Sequence, residues 1–93
     1  MLKNKEERKK FLEDDNNWNI IYNLDIGLRY SEIRFKDNIS LIKVESYQYF
    51  DNKGKYIVEG YRILDRSNFT LSMNLYYISA CVEFLKHHEL EEN

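Results

Sequence analysis

Ninety-three residues with one cysteine, no proline and 32% charged side chains leave room for one domain with a modest core and exclude a disulfide-built scaffold, since a lone thiol has no internal partner. Fourteen Lys and Arg against sixteen Asp and Glu give a net charge of −2, so no overall field draws the chain to nucleic acid or anionic lipid. Leu, Ile, Val and Phe number 27, enough to fold. No run approaches the roughly eighteen apolar residues of a membrane helix. The start, Met1-Leu2-Lys3-Asn4-Lys5, lacks an apolar signal core, so a cytoplasmic protein without membrane contact is expected. Abundant Asn, Lys, Ile and Tyr fit AT-rich codons, as in an AT-rich bacterium, its phages or a mobile element.

Residues 1–16 form a charged N-terminal region. Five bases and five acids between Lys3 and Asp15 cancel, and Asn4 followed by Glu7 predicts a capping box for a short helix ending near Asp14. Interleaved signs argue for a solvated helix anchored by Phe11 and Leu12 and against a basic arm.

An antiparallel sheet is expected over residues 18–73. Trp18, Ile20, Tyr22 and Leu24 alternate as in a half-buried strand, and Asp25-Ile26-Gly27 supplies a turn. In the second strand, Leu28 to Phe35, the apolar phase moves from Leu28 and Tyr30 to Ile33 and Phe35, which predicts a bulge near Ser31-Glu32. Lys36-Asp37-Asn38 turns the chain into a third strand, Ile39 to Phe50. Asp51-Asn52-Lys53-Gly54-Lys55 then predicts a three-residue loop with a left-handed Gly54, setting Asp51 against Lys55. This register puts Ile42, Val44, Phe50, Val58 and Leu64 on one face around Ser46 and Gly60, the expected core. The other face collects Lys43, Glu45, Tyr47, Tyr49, Ile57, Glu59, Tyr61 and Ile63.

The sixteen residues from Ser67 to Val82 carry no charge. Phe69, Leu71 and Met73 suit an edge strand, followed by a helix over about 74–88 capped by Ser72 or Asn74. Leu75, Ile78, Val82 and Leu85 form its core stripe, with Tyr77, Cys81 and Phe84 beside it. Residues 89–93 are expected to fray as an acidic tail. The fold class is α+β: a short N-terminal helix, a four- to five-stranded antiparallel β-meander and a C-terminal helix packed on one sheet face.

Chemistry is hard to assemble from these residues. His87 and His88 point about 100° apart on a helix and cannot converge on a metal with Cys81 and Glu89. There is no nucleophile elbow and no glycine-rich phosphate loop, so no enzyme activity and no cofactor are expected. Two binding surfaces remain. One is the sheet face with Tyr47, Tyr49, Ile57 and Tyr61, where aromatic and basic residues mix as in single-strand nucleic-acid binders but Glu45 and Glu59 oppose phosphate. The other lies in the uncharged window, where Met73, Tyr76, Tyr77 and Ala80 remain to face another chain, a second copy in a homodimer or a different protein. The competing assignment covers that side within one chain, by the N-terminal helix or a curled sheet. The expected function is a non-catalytic protein-interaction module, a small phage- or mobile-element-encoded binder or inhibitor of a larger host protein. The alternative is a single-stranded nucleic-acid-binding protein using the tyrosine face.

Overall fold

The computed structural model describes residues 2–23, 27–72 and 74–91. Leu24 of the first expected strand, Asp25 and Ile26 of the first expected turn and the candidate contact Met73 lie outside the described residues. The chain runs through helix α1 (Lys5–Glu13), a 3-10 turn (Asp15–Asn17), strands β1 (Asn19–Asn23), β2 (Leu28–Phe35), β3 (Ile39–Phe50), β4 (Lys53–Asp65) and β5 (Thr70–Leu71), and helix α2 (Ile78–His87). The five strands form one antiparallel sheet in the order β1-β2-β3-β4-β5, an α+β fold.

Each boundary has a local cause. At the start of α1 the Asn4 side chain accepts the Glu7 N–H at 2.9 Å, satisfying one of the donors that a helix leaves orphaned. The helix ends at Asp14, whose side chain accepts the Asn16 N–H and opens the 3-10 turn. Trp18 then folds back, its indole N–H donating to the Leu12 carbonyl at 2.8 Å. Both are buried, so this bond satisfies the one polar group of a large apolar ring.

The hairpin between β3 and β4 departs from the expected register. Phe50 opposes Lys53 across a two-residue turn in which Asp51 and Asn52 both have positive φ, 50° and 64°. Such a turn matches the right-handed twist of the strands, and Asp and Asn tolerate the left-handed region better than other residues with a side chain. Gly54 therefore has no turn role; the ring of Tyr47 fills the space that a Cβ there would need. Glu59 is the extra residue of a bulge: Glu45 pairs with Val58, but Val44 pairs with Gly60. Between turn and bulge the pairing is displaced, so Ile57 opposes Ser46 instead of Tyr49, and Tyr56 opposes Tyr47.

The core lies on the face opposite to the one expected. Ile33, Phe35 and Leu41 are buried with Tyr61 and are sealed by Leu12, Trp18, Cys81, Val82 and Leu85. The expected core residues Ile42, Val44 and Leu64 point the other way, where no helix lies over them. Alternation could not decide this, because Leu41 and Ile42 are both apolar and both buried. The same ambiguity explains the phase change in β2. That strand pairs without interruption along β3, with Leu28 and Tyr30 on the open face and Ile33 and Phe35 in the core. The bulge is in β1, between Ile20 and Tyr22.

The uncharged window begins as a strand and becomes helical later than expected. Ser72 donates its N–H to Ile63 and accepts the Ile63 N–H with its hydroxyl, and Leu75 exchanges both backbone bonds with Tyr61. Engaged with β4, these residues cannot enter a helix, so α2 starts at Ile78 and its N-cap, Tyr77, makes no side-chain cap bond. Cys81, Val82 and Leu85 are buried, and Leu75, Ile78 and Phe84 pack around them. Helix α1 lies against α2, but it leaves Tyr76 and Tyr77 exposed, so the competing assignment holds for the helix and not for those two residues. The tail does not fray at 89–91: the Lys36 N–H donates to the Glu89 carbonyl, the Glu91 N–H donates to the Arg34 carbonyl, and Leu90 bridges to Phe35.

Candidate functional site

Two uncovered surfaces follow from this arrangement. The larger is the open sheet face. Its centre is a shallow groove of about 410 Å³ that crosses the sheet, walled by Ile21, Tyr30, Ile42, Val44, Leu64 and Leu71, so all five strands contribute. Ile21 joins because the β1 bulge turns it to this side, together with Tyr22, which stacks at 5.8 Å on Tyr30. The charge lining the groove is Arg62, whose Nε and Nη2 both donate to the Ser72 carbonyl, at 2.9 and 2.7 Å. Its guanidinium thus ties β4 to the segment after β5.

Phe69 stands at the rim in an unusual state. Its φ is +56° and its ring is 79% exposed. A bulky residue in the left-handed region is strained by about 1–2 kcal/mol, and here Asn68 holds the turn by accepting the Thr70 N–H. Ile21, Tyr22 and Leu71 are also exposed. An antiparallel sheet normally turns polar residues to its uncovered side; this one turns a neutral apolar band outward, in a chain that is one-third charged.

The second surface is the arm of the β3–β4 hairpin. Tyr47 donates its N–H to the Gly27 carbonyl at 2.7 Å, and beyond that point, among the described residues, β3 and β4 pair only with each other. Tyr47 meets Tyr49 and Tyr56 edge-on, with ring centroids 5.3 and 5.0 Å apart. Arg29 lies 3.8 Å over the Tyr56 ring while its Nε and Nη2 bond both oxygens of the buried Glu45. The Glu45 hydrogen bond raises the Arg29 pKa, against the opposing effect of desolvation. Glu45 is therefore neutralised within the chain, and Glu59, in the bulge, accepts from the Ser46 hydroxyl.

The expected site residues separate. Tyr47 and Tyr49 do share one side of the arm, and Tyr49 is 74% exposed. Ile57 is on the opposite side, moved there by the register. Tyr61 is only 6% exposed and packs at 6.0 Å on Trp18, so it belongs to the core; burial pushes its hydroxyl pKa up to about 12. Tyr76 and Tyr77 are 69% and 75% exposed, ahead of α2, and Ala80 is half-buried. Reading the sequence missed Tyr56, which the displaced pairing brings to Tyr47, and it missed the open face altogether, while Arg29, one of the bases expected near the tyrosine face, is there. The signal for that face was present in the paired apolar positions Leu41-Ile42 and Ile63-Leu64.

Cys81 is buried, and desolvation pushes its thiol up to about 12. His88 stacks on Phe84 at 4.0 Å, and His87 lies 3.6 Å from Glu83. Among the described residues no three His, Cys, Asp or Glu side chains converge as metal ligands, and no helix is long and apolar enough to cross a membrane. No family model, curated protein or solved structure matches this chain.

Proposed function

We propose that this protein is a non-catalytic module that binds another protein, and that the open sheet face is the contact surface. The observation that carries the reading is the neutral apolar band from Ile21 to Leu71, left uncovered while both helices pack on the opposite side. Contiguous exposed apolar surface of this kind marks interaction sites, and its apolar groups gain by leaving water, while the charge in the groove, Arg62, is already bonded to the Ser72 carbonyl. The outward Phe69 at its rim supports the same surface, since a large exposed aromatic side chain is the kind of anchor that protein interfaces bury. A cytoplasmic binder or inhibitor of a larger host protein, encoded by a phage or mobile element, agrees with the small size and the AT-rich codon signature. A second copy of the chain is the competing occupant.

Co-purification from the native host, followed by a binding titration with the partner obtained, tests this. Leu71→Asp and Phe69→Asp are expected to weaken binding at least about tenfold while circular dichroism stays unchanged. If both variants bind normally and Tyr49→Ala does not, the contact belongs to the arm. The arm favours a second reading, single-stranded nucleic acid, because residues 47–56 combine four aromatic rings with Lys53 and Lys55 against a single acid, Asp51. Fluorescence anisotropy with an oligo-dT strand is expected to show no binding at about 0.15 M salt; tight, salt-sensitive binding lost in Tyr49→Ala would establish the second reading instead.

A further inference from the structure

The outer edge of β2 is occupied by two separate segments placed end to end. Strand β1 covers it from Arg29 to Glu32, where Asn19 makes the last pair. Beyond that, from Arg34 to Lys36, the edge is taken by Glu89-Leu90-Glu91, antiparallel and held through the Lys36 N–H and the Arg34 carbonyl. The side chains of this segment meet a matched surface. Leu90 packs against the core cluster. Glu89 reaches the Lys36 ammonium at 2.9 Å, and the two Glu91 oxygens reach Arg34 Nε at 3.1 Å and Arg66 Nη2 at 3.0 Å. Arg66 is in turn fixed by the carbonyls of Phe35 and Ile39, so a cation stands ready there whether or not the segment does. Beside it a polar cavity of about 460 Å³ opens between Asn16, Asn17, Trp18, Glu32 and Arg34.

From this we infer that the β2 edge at residues 34–36 is a docking site for an extended acidic-leucine-acidic segment of a partner protein, and that residues 89–91 occupy it in cis as an autoinhibitory strand. The resident segment itself defines the chemistry: strand addition for the backbone, an apolar socket for one leucine, and cations for a carboxylate on each side. Its hold is local. One bridge and three ion pairs with solvent-reached carboxylates form a contact that opens far below the energy of global unfolding. A trans segment of the same pattern can make every one of these bonds. This site is separate from the open face, and its test does not depend on that reading.

The test is an NMR titration of the full chain with the peptide acetyl-Gly-Glu-Leu-Glu-Gly-amide, to about 5 mM. Leu90→Ser removes the resident anchor while the peptide restores it. In that variant the amides of Arg34, Phe35, Lys36 and Arg66 are expected to shift and saturate. The wild type should bind at least about tenfold more weakly, because its site is mostly closed. A Lys-Leu-Lys peptide should shift neither. If the folded Leu90→Ser protein shows no shift, if variant and wild type respond alike, or if the basic peptide binds equally, the inference is wrong. Should Leu90→Ser lose the dispersed spectrum of a folded sheet, the double variant Glu89→Gln and Glu91→Gln, which loosens the segment but keeps the socket, is judged by the same three outcomes.

Discussion

Lys43 shows how a charged residue in the middle of a strand can be tertiary in meaning. Read in one dimension it belongs to a solvated, mixed face; in the fold it is 5% exposed, its ammonium 3.1 Å from Asp15 and 4.7 Å over the Trp18 ring. Asp15 is itself well exposed, so the pair gains little as a salt bridge and matters because Lys43 has few other partners. Removing Asp15 leaves a buried cation, whereas removing the cation leaves only an exposed carboxylate. Asp15→Ala is therefore expected to destabilise by about 1–3 kcal/mol, and Lys43→Met to be neutral or stabilising. Urea unfolding of both variants checks the asymmetry, and equal losses would refute it. Cys81 follows the same logic: with its pKa near 12, it should react with a thiol reagent at pH 8 only as fast as the protein opens.

At the scale of elements, the sequence was most legible where one signal sufficed. The third strand was bounded at Ile39 and Phe50, and the edge strand after Asn68 was anticipated; both are present. The hairpin turn was misread because Gly54 drew the left-handed position to itself, although Asp51-Asn52 could hold it. Asn52→Val is expected to cost about 1–2 kcal/mol, the strain of forcing a β-branched residue to φ 64°, with Asn52→Gly tolerated. Had Gly54 been the left-handed residue, Asn52→Val would be nearly silent. The start of α2 was placed early for a related reason: Ser72 and Asn74 are good caps in isolation, but the backbone of Ser72 and Leu75 bonds to β4, and hydrogen bonds already made there outweigh an available cap.

For the molecule as a whole, charge acts at one seam, where residues 89–91 close the β2 edge. Lys36 holds the Glu89 carboxyl below its ordinary range. Desolvation opposes the charge on Glu91, but hydrogen bonds from Arg66 and Arg34 together outweigh it and also lower that pKa. Depressed carboxyl pKa values mean that this contribution to stability is complete above the unfolded-state value of about 4.3 and is lost as pH falls through the folded-state values. Amide shifts of Lys36 and Glu91 should therefore report release of the segment at acid pH while the amides of Leu41 and Ile42 still report an intact sheet. Simultaneous loss at both places would show that the segment has no separate opening. The amino-acid sequence by itself determined the α+β class, the antiparallel order, the capped first helix and the exclusion of an internal disulfide, because each follows from local periodicity, turn residues or composition. Only the tertiary structure decided which face of the sheet is core, that Tyr61 is inside and Tyr56 beside Tyr47, and that residues 89–91 bridge to the β2 edge. Both faces of β3 carry apolar residues, Leu41 on one and Ile42 and Val44 on the other, so alternation is degenerate there, and the choice falls to whichever side α1, Trp18 and α2 can cover together.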